Sequence, residues 1–287
     1  MNSPYQNKPE PFFKGDPHLV VIDSDDCVGL NVGYEAAEWR YEAFSNYLFD
    51  WLVEFTTSFS DLEKINHANC RRMVQRAAGI IYSTDKYGKR GEFGELMLHA
   101  ILRELFDTEP AVSKLFYKTA SNDTVKGFDA VHVRKNADGI IELWLGEVKF
   151  YSDIHRAVID VVKEINEHLG AKKLREEFMC VGAHVDLDWE YGKKVKMLLD
   201  RNTSLDKIFE VICIPVLLTY ESGVVKSSRA VSDEFLRELC KEMKNHNQVF
   251  KSKLSPSKVK VQLVLLPLKS KEKLIQTLND KLKSLQK

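Results

Sequence analysis

Two short stretches carry side chains suited to catalysis, Gly127-Phe128-Asp129 and Glu147-Val148-Lys149. The second stretch ends an apolar run, and strand alternation places Glu147 and Lys149 on one otherwise apolar face, about 7 Å apart. Burying either charge without a partner is costly. The acid and the base therefore either satisfy each other or converge on something else, such as a metal ion and a phosphate.

The preceding stretch favours a metal ion. Asp138-Gly139 predicts a tight turn between the two stretches, and a hairpin centred there makes Asp129 a neighbour of Glu147. Two adjacent carboxylates repel unless a cation lies between them, and Asp and Glu with waters form a usual oxygen shell for Mg²⁺. Upstream, a predicted helix from Gly91 to Phe106 carries Glu95 on the side of its core leucines, pointing towards the sheet.

This arrangement of a helix Glu, a strand Asp and a Glu-x-Lys strand resembles the PD-(D/E)xK nuclease superfamily. The resemblance implies that Asp129, Glu147, the Val148 carbonyl and Glu95 bind Mg²⁺ or Mn²⁺, with Glu92 as an alternative to Glu95. It also implies that Lys149 positions or activates the attacking water, so that these residues are catalytic. Phe128 stands where the superfamily motif has Pro.

A narrower resemblance covers residues 88–156. Arg90-Gly91-Glu92-Phe93-Gly94-Glu95-Leu96 and Leu145-Gly146-Glu147-Val148-Lys149-Phe150-Tyr151 are similar to the nuclease subunits of bacterial Hachiman antiphage defence systems. The resemblance implies a metal-dependent DNA endonuclease that acts as an effector in complex with a helicase subunit. The composition and spacing of the chain do not themselves indicate the helicase.

The elements around these residues predict an α/β fold, and the resemblance implies a PD-(D/E)xK restriction-endonuclease-like core with a mixed central sheet flanked by helices. We divide the chain into a mainly helical N-terminal region, 1–85, and a nuclease-like domain with a C-terminal basic helix, 86–287. Periodicity predicts helices at about 35–59, 61–82, 91–106, 153–169 (with Asp153 as N-cap), 232–244 and from 270. Strands are expected at 18–23, 112–119, 126–134, 139–151, 209–220 and 259–267. The aromatic residues of the first helix are expected in the core.

Charge is distributed unevenly along the 287 residues, although 42 basic and 42 acidic residues balance overall. Residues 1–69 hold four basic and twelve acidic residues, whereas residues 251–287 hold ten lysines and two acids. We expect the acidic region to bind a protein partner and the basic end to bind DNA, although a solvated helix surface explains the lysines equally well. The residues assigned to DNA are Lys86, Lys89, Arg90, Lys251 and Lys253.

Other features exclude several classes of protein. The longest apolar stretch is about half of a membrane span, and the N-terminus lacks a secretory signal, so a cytoplasmic protein is expected. The five cysteines have no paired spacing and are expected to be free thiols. The sequence contains no Walker A loop, so an intrinsic NTPase activity is not expected.

Two further interpretations remain open. In the first, the chain is a catalytically inactive member of the fold that binds nucleic acid or serves as a scaffold. In the second, it is an unrelated α/β protein with a buried Glu147–Lys149 pair. The residues alone do not choose between DNA and RNA, or between one metal ion and two. His99 is expected either to brace Glu95 or to lie satisfied in the core. His155 is expected at the surface or as a helix cap, with a contact to the phosphate or a role in proton transfer as the alternative.

Overall fold

The computed structural model describes residues 3–82, 91–113, 127–255 and 259–286. Within these ranges seven strands form one mixed sheet in the order β1-β2-β9-β8-β7-β6-β5. The β2-β9, β9-β8 and β8-β7 pairs are parallel, and the other pairs are antiparallel. The strands are β1 (Val20–Ser24), β2 (Cys27–Leu30), β5 (Glu109–Pro110), β6 (Ala130–Lys135), β7 (Ile141–Phe150), β8 (Ile212–Glu221) and β9 (Lys260–Leu268), and a separate hairpin pairs β3 (Tyr34–Glu35) with β4 (Glu38–Trp39).

Helices flank this sheet, which confirms the predicted fold class. Strands β7, β8 and β9 lie side by side at its centre and are buried along most of their length, as near-continuous apolar runs in parallel strands require. The helices are α1 (Tyr41–Asp50), α2 (Leu52–Thr56), α3 (Phe59–Leu62), α4 (Cys70–Tyr82), α5 (Gly91–Leu105), α6 (Ile154–His168), α7 (Ala171–His184), α8 (Gly192–Leu198), α9 (Leu205–Phe209), α10 (Gly223–Ser227), α11 (Asp233–Lys253) and α12 (Lys271–Leu285).

The N-terminal helices are shorter than their periodicity predicts. The helix expected from residue 35 begins at Tyr41, because Ala36 and Ala37 adopt positive φ values of 49° and 65° in the two-residue turn between β3 and β4. Both central residues of a type I′ turn have this conformation. The helix expected from residue 61 is divided, and its long part begins only at Cys70. The aromatic residues of this region are buried as predicted, among them Trp39, Phe44, Tyr47, Trp51 and Phe55.

The N-terminal region also contributes strands. The first strand was expected, but β2 was not, and β2 pairs in parallel with β9 from the far end of the chain. Both sides of the proposed boundary at 85/86 therefore contribute to one sheet. The boundary itself lies outside the described residues, and the division into two domains stays a prediction. The strand expected at 112–119 is wrong at Val112 and Ser113, since β5 ends earlier at Pro110, and its remainder also lies outside the described residues.

Later elements agree better with the prediction. Asp153 caps α6 by accepting a hydrogen bond from the Arg156 amide, and Ser270 caps α12 in the same way. Helix α11 continues to Lys253, about two turns beyond its predicted end. Helices α7, α8 and α9 were not predicted, and α7 proves important for the site described next.

Candidate active site

The hairpin of β6 and β7 brings the two sequence stretches together. Ala130 pairs with Gly146, and the same register sets Asp129, just before β6, opposite Glu147. The Asp129 amide donates to the Gly146 carbonyl at 2.9 Å, and the Val148 amide donates to Asp129 Oδ2 at 2.9 Å. The turn occupies 136–139, where Gly139 has a φ of 79°. The predicted hairpin and its register are therefore confirmed.

The two carboxylates of this hairpin oppose each other electrostatically. Burial raises the pKa of Glu147 to about 8, although the Lys149 ammonium acts to lower it. Burial also raises the pKa of Asp129 well above its usual range, and the charges of Glu147 and Glu95 raise it further. The hairpin thus holds two carboxyl groups where ionising both is unfavourable without a nearby cation.

Lys149 shares the buried face with Glu147, but its charge is already matched. The Lys149 ammonium pairs with Glu164 of α6 and donates to the Val148 carbonyl at 3.3 Å. Burial acts to lower the pKa of Lys149, yet the bond to Glu164 and the nearby Asp129 and Glu147 carboxylates leave it above its usual value. Lys149 is therefore a cation fixed beside the two carboxylates.

Helix α5 packs tightly against β7 and sets the position of Glu95. A Cβ atom on Gly94 would lie 3.0 Å from Phe150 Cβ, and one on Gly146 would lie 2.8 Å from Leu98 Cδ2. Only glycine at these two points allows so close an approach. The half-buried Glu95 follows Gly94 directly, and it is the α5 carboxylate whose charge raises the pKa of Asp129, which favours Glu95 over Glu92.

Two buried residues of the site were missed by sequence reasoning. His168 ends α6, and its Nδ1 lies 2.7 Å from Glu147 Oε1. Its Nε2 lies 3.8 Å from Glu177 Oε1 of α7. A detectable pattern exists for His168, because it continues the buried stripe of Val161 and Ile165 at helical spacing.

The donor chemistry of the site fits a hard divalent cation. Asp129, Glu147, the Val148 carbonyl and Glu95 all offer oxygen, which Mg²⁺ and Mn²⁺ prefer. Glu147 Oε1 is fully buried without a well-aligned hydrogen bond, so it retains unused acceptor capacity. Over the described ranges, however, no three His, Cys, Asp or Glu side chains are already arranged as a metal shell.

The residues assigned to DNA are only partly described. Lys86, Lys89 and Arg90 lie outside the described residues. Lys251 and Lys253 lie in the last turn of α11, where Lys251 pairs with Asp26 and Lys253 is exposed. Most described residues of the lysine-rich segment 251–287 therefore lie in α11, β9 and α12, not in an extended tail.

The remaining histidines have other surroundings. His99 is buried, with Nε2 3.2 Å from Glu54 Oε1 and Nδ1 3.2 Å from His132 Nε2, which supports the core interpretation over a contact with Glu95. His155 is exposed, as expected. His184 Nδ1 lies 2.8 Å from its own helix's Cys180 carbonyl.

Comparison with known protein families identifies the family of this chain. A protein-family model described as HamA matches residues 10–282 of the chain. The chain belongs to the HamA family. HamA is a subunit of the Hachiman system, so the protein is a component of a Hachiman antiphage defence system. A search of curated proteins gives no significant match. In the described part of this HamA-family chain, no helix is both long and apolar enough to cross a membrane.

Proposed function

We propose that this HamA-family protein is a Mg²⁺- or Mn²⁺-dependent DNA endonuclease that serves as the effector of its defence system. One observation carries the proposal: Asp129 and Glu147 face each other across the β6–β7 hairpin, with Lys149 on the same buried face. A fold that needed only stability would gain nothing from two adjacent carboxyl groups whose burial disfavours their ionisation. Family membership supports a role in defence.

The proposed role of each residue follows from its position. Asp129, Glu147, the Val148 carbonyl and Glu95 would hold the cation. The cation would stabilise charge that develops on the phosphate and would lower the pKa of a water molecule. Lys149, fixed between the Val148 carbonyl and Glu164, would orient the attacking water and place a positive charge near the scissile phosphate.

A second candidate function is a catalytically inactive subunit that binds nucleic acid or acts as a scaffold. The observation in its favour is that the buried charges already have protein neighbours. Lys149 pairs with Glu164, and Glu147 lies against His168. Such contacts would be expected in a family member that no longer binds a metal ion, because they satisfy the buried charges without one.

The experiment that separates the two candidates is incubation of the purified protein with plasmid DNA and Mg²⁺ or Mn²⁺, with and without EDTA. We expect cleavage that EDTA abolishes. A parallel reaction with RNA of matched length tests the substrate class. Cleavage that persists in EDTA would contradict the proposed metal dependence, and no cleavage with either cation would favour the inactive subunit.

We further propose that a helicase partner controls the nuclease. An effector with no sequence-reading module would damage the host chromosome if it were unrestrained. The acidic residues of the N-terminal region that do not pair within the chain would provide a surface for a protein partner. Asp26, Glu38 and Glu42 instead pair with Lys251, Lys273 and Lys281. We expect the isolated subunit to cut on metal alone and the two-protein complex to require ATP hydrolysis. Full cleavage by the complex with a non-hydrolysable ATP analogue would contradict this control and leave the nuclease proposal intact.

A further inference from the structure

We infer that His168 is a positioning residue that orients the Glu147 carboxylate for the cation, with Phe128 and Glu177 fixing its imidazole ring. The inference rests on the proposed function, because it assigns to Glu147 the role of a metal ligand. It adds the end of α6 and a residue of α7 to a site otherwise built from α5, the β6–β7 hairpin and Glu164 of α6.

The position of His168 supports a specific role. It is the last residue of α6 and is buried, and its ring nitrogens face carboxylates on opposite sides. Nδ1 lies 2.7 Å from Glu147 Oε1, and Nε2 lies 3.8 Å from Glu177 Oε1. A histidine held only for packing would have no need of an acid at both ring nitrogens.

The ring is also held from a third side. The Phe128 and His168 rings meet edge to face, with centroids 4.7 Å apart and planes at 81°. Phe128 immediately precedes Asp129, where the superfamily motif has Pro. The departure from that motif therefore has a structural consequence, because the aromatic ring at 128 links the proposed ligand Asp129 to the histidine that contacts Glu147.

Glu177 completes the arrangement from α7. Its side chain is 3% exposed, and neither carboxylate oxygen has an aligned hydrogen bond. Burying a carboxyl group in this way is costly unless the group has a partner, and His168 is the neighbour it faces. Groups that contact a metal-ligating carboxylate directly typically contribute about 10- to 100-fold in metal affinity. His168 would have that role, and Glu177 would act through it.

The test measures Mn²⁺ binding directly, by isothermal titration and by the Mn²⁺-induced rise in melting temperature. Four variants are compared with the wild type: His168→Ala, His168→Asn, His168→Gln and Glu177→Gln. The Asn amide places a donor near the position of Nδ1, whereas the Gln amide places one near Nε2. His155→Ala is the matched control, because His155 is an exposed histidine of the same helix.

We expect His168→Ala to weaken Mn²⁺ binding about 10-fold or more, His168→Asn to recover most of the loss, and His168→Gln to recover little. Glu177→Gln should give a smaller loss, and His155→Ala none. In cleavage assays, the Mn²⁺ concentration at half-maximal rate should rise while KM for DNA stays constant. Replacing a purely structural histidine would change the melting temperature without changing the Mn²⁺ concentration at half-maximal rate relative to KM for DNA.

Two results would overturn the inference, and they are distinguishable. Wild-type Mn²⁺ affinity in folded His168→Asn and His168→Gln alike would show that the ring does not act on Glu147, while the nuclease proposal stands. No Mn²⁺ binding and no cleavage by the wild type would overturn the proposed function and this inference together.

Discussion

Two buried polar clusters of this protein have opposite electrostatics. The first, the Glu147 cluster, lies at the proposed catalytic site. The second, the Glu54 cluster, joins α2 to α5 and β6. There, Arg103 Nε lies 2.5 Å from Glu54 Oε1, and the same guanidinium donates to the Thr108 and Tyr5 carbonyls. The Glu147 cluster comprises Asp129, Glu147, Lys149 and His168, and the Glu54 cluster comprises Glu54, His99, Arg103 and His132.

The pKa values express this contrast. Burial acts to raise the pKa of Glu54, but His99 and Arg103 hold it below its usual value. Burial raises the pKa of Glu147 to about 8, and Lys149 does not compensate. Similar burial thus gives opposite shifts, because Glu54 faces a bidentate guanidinium, whereas the effect of Lys149 on Glu147 is opposed by the Glu164 carboxylate. The Glu54 cluster is suited to stability, and the Glu147 cluster is suited to binding a cation that the protein itself does not supply.

The largest expected effect concerns function at the Glu147 cluster. Glu147→Ala with Lys149→Ala should reduce plasmid cleavage by about 10⁴-fold or more, because each residue is expected to contribute about 100-fold or more. The variant should remain folded in urea unfolding, because the Glu164 carboxylate that loses Lys149 is partly exposed and can be solvated, and a buried carboxyl group with a raised pKa is removed at the same time. The matched control is Lys163→Ala with Glu167→Ala, an exposed i,i+4 pair on α6. Wild-type cleavage by the Glu147/Lys149 double variant would refute the assignment of the site.

The next effect concerns stability at the Glu54 cluster. Arg103→Met leaves the Glu54 carboxylate buried without its cation, which should cost about 3–5 kcal/mol in urea unfolding. Adding Glu54→Leu should recover much of that loss, because the unpaired charge is removed. Mn²⁺ affinity of the folded variants should stay unchanged. A loss below about 1 kcal/mol in Arg103→Met would contradict the contrast between the clusters.

The sequence predicted the Glu147 cluster better than the Glu54 cluster, for a physical reason. Asp129, Glu147 and Lys149 lie on one hairpin, so strand alternation and the turn at Asp138-Gly139 were sufficient to determine their register. Arg103 meets Glu54 across 49 residues of chain. No local pattern records such a contact, and the Glu54 cluster was not predicted.

The same limit explains the missed elements. The β2–β9 pairing joins Cys27 to Leu263, and hydrophobic periodicity carries no information about which distant strands pair. Glu177 lies on a helix that was not predicted, because charged residues interrupt the apolar pattern of α7. The buried stripe of α6 does point to His168, so the pattern needed for this residue was present in the sequence.

A third prediction uses pH. Burial lowers the pKa of His99 and lowers that of His132 well below its usual value, with the Arg103 charge adding to the effect in both. Well above a pH of about 6.5 both rings are neutral in the folded and unfolded states. Below it, the unfolded chain binds protons at these two rings that the folded chain excludes, so their contribution to stability falls as pH falls. The raised pKa values of Asp129 and Glu147 give a contribution of the opposite sign, because the folded chain binds those protons more tightly than the unfolded chain.

The expected slope is up to about 1.4 kcal/mol per pH unit for each histidine. Urea unfolding at a series of pH values between about 7 and 5 measures it. Relative to the wild type, His132→Asn should remove the His132 contribution, a difference in slope of up to about 1.4 kcal/mol per pH unit, whereas the control His67→Gln, at an exposed position, should leave the slope unchanged. An unchanged slope in His132→Asn would show that His132 is not a neutral group of the Glu54 cluster.

A fourth prediction removes one negative charge from the Glu147 cluster. Asp129→Asn preserves an acceptor for the Val148 amide, but it should weaken Mn²⁺ binding about 10-fold, measured by isothermal titration. Because the repulsion with Glu147 also disappears, the free energy of unfolding should rise by up to about 1 kcal/mol. Asp138→Asn, in the exposed turn of the same hairpin, is the control. Equal Mn²⁺ affinity in Asp129→Asn and wild type would place Asp129 outside the metal shell.

The smallest effect is expected at the end of α11, where neither cluster lies. Lys253 is exposed, and Lys251 pairs with Asp26. If Lys253 contacts a DNA phosphate, Lys253→Ala should reduce the slope of log affinity against log salt by about 0.9. Lys251→Ala should reduce it less, since Asp26 already neutralises that charge.

The measurement is fluorescence anisotropy on duplex DNA at several salt concentrations, in the Glu147→Ala, Lys149→Ala background so that the DNA stays intact. Lys64→Ala, an exposed lysine paired with Asp61 in the acidic region, is the control. An unchanged slope in Lys253→Ala would show that this surface does not contact DNA. The assignment of the Glu147 cluster as the catalytic site would not be affected.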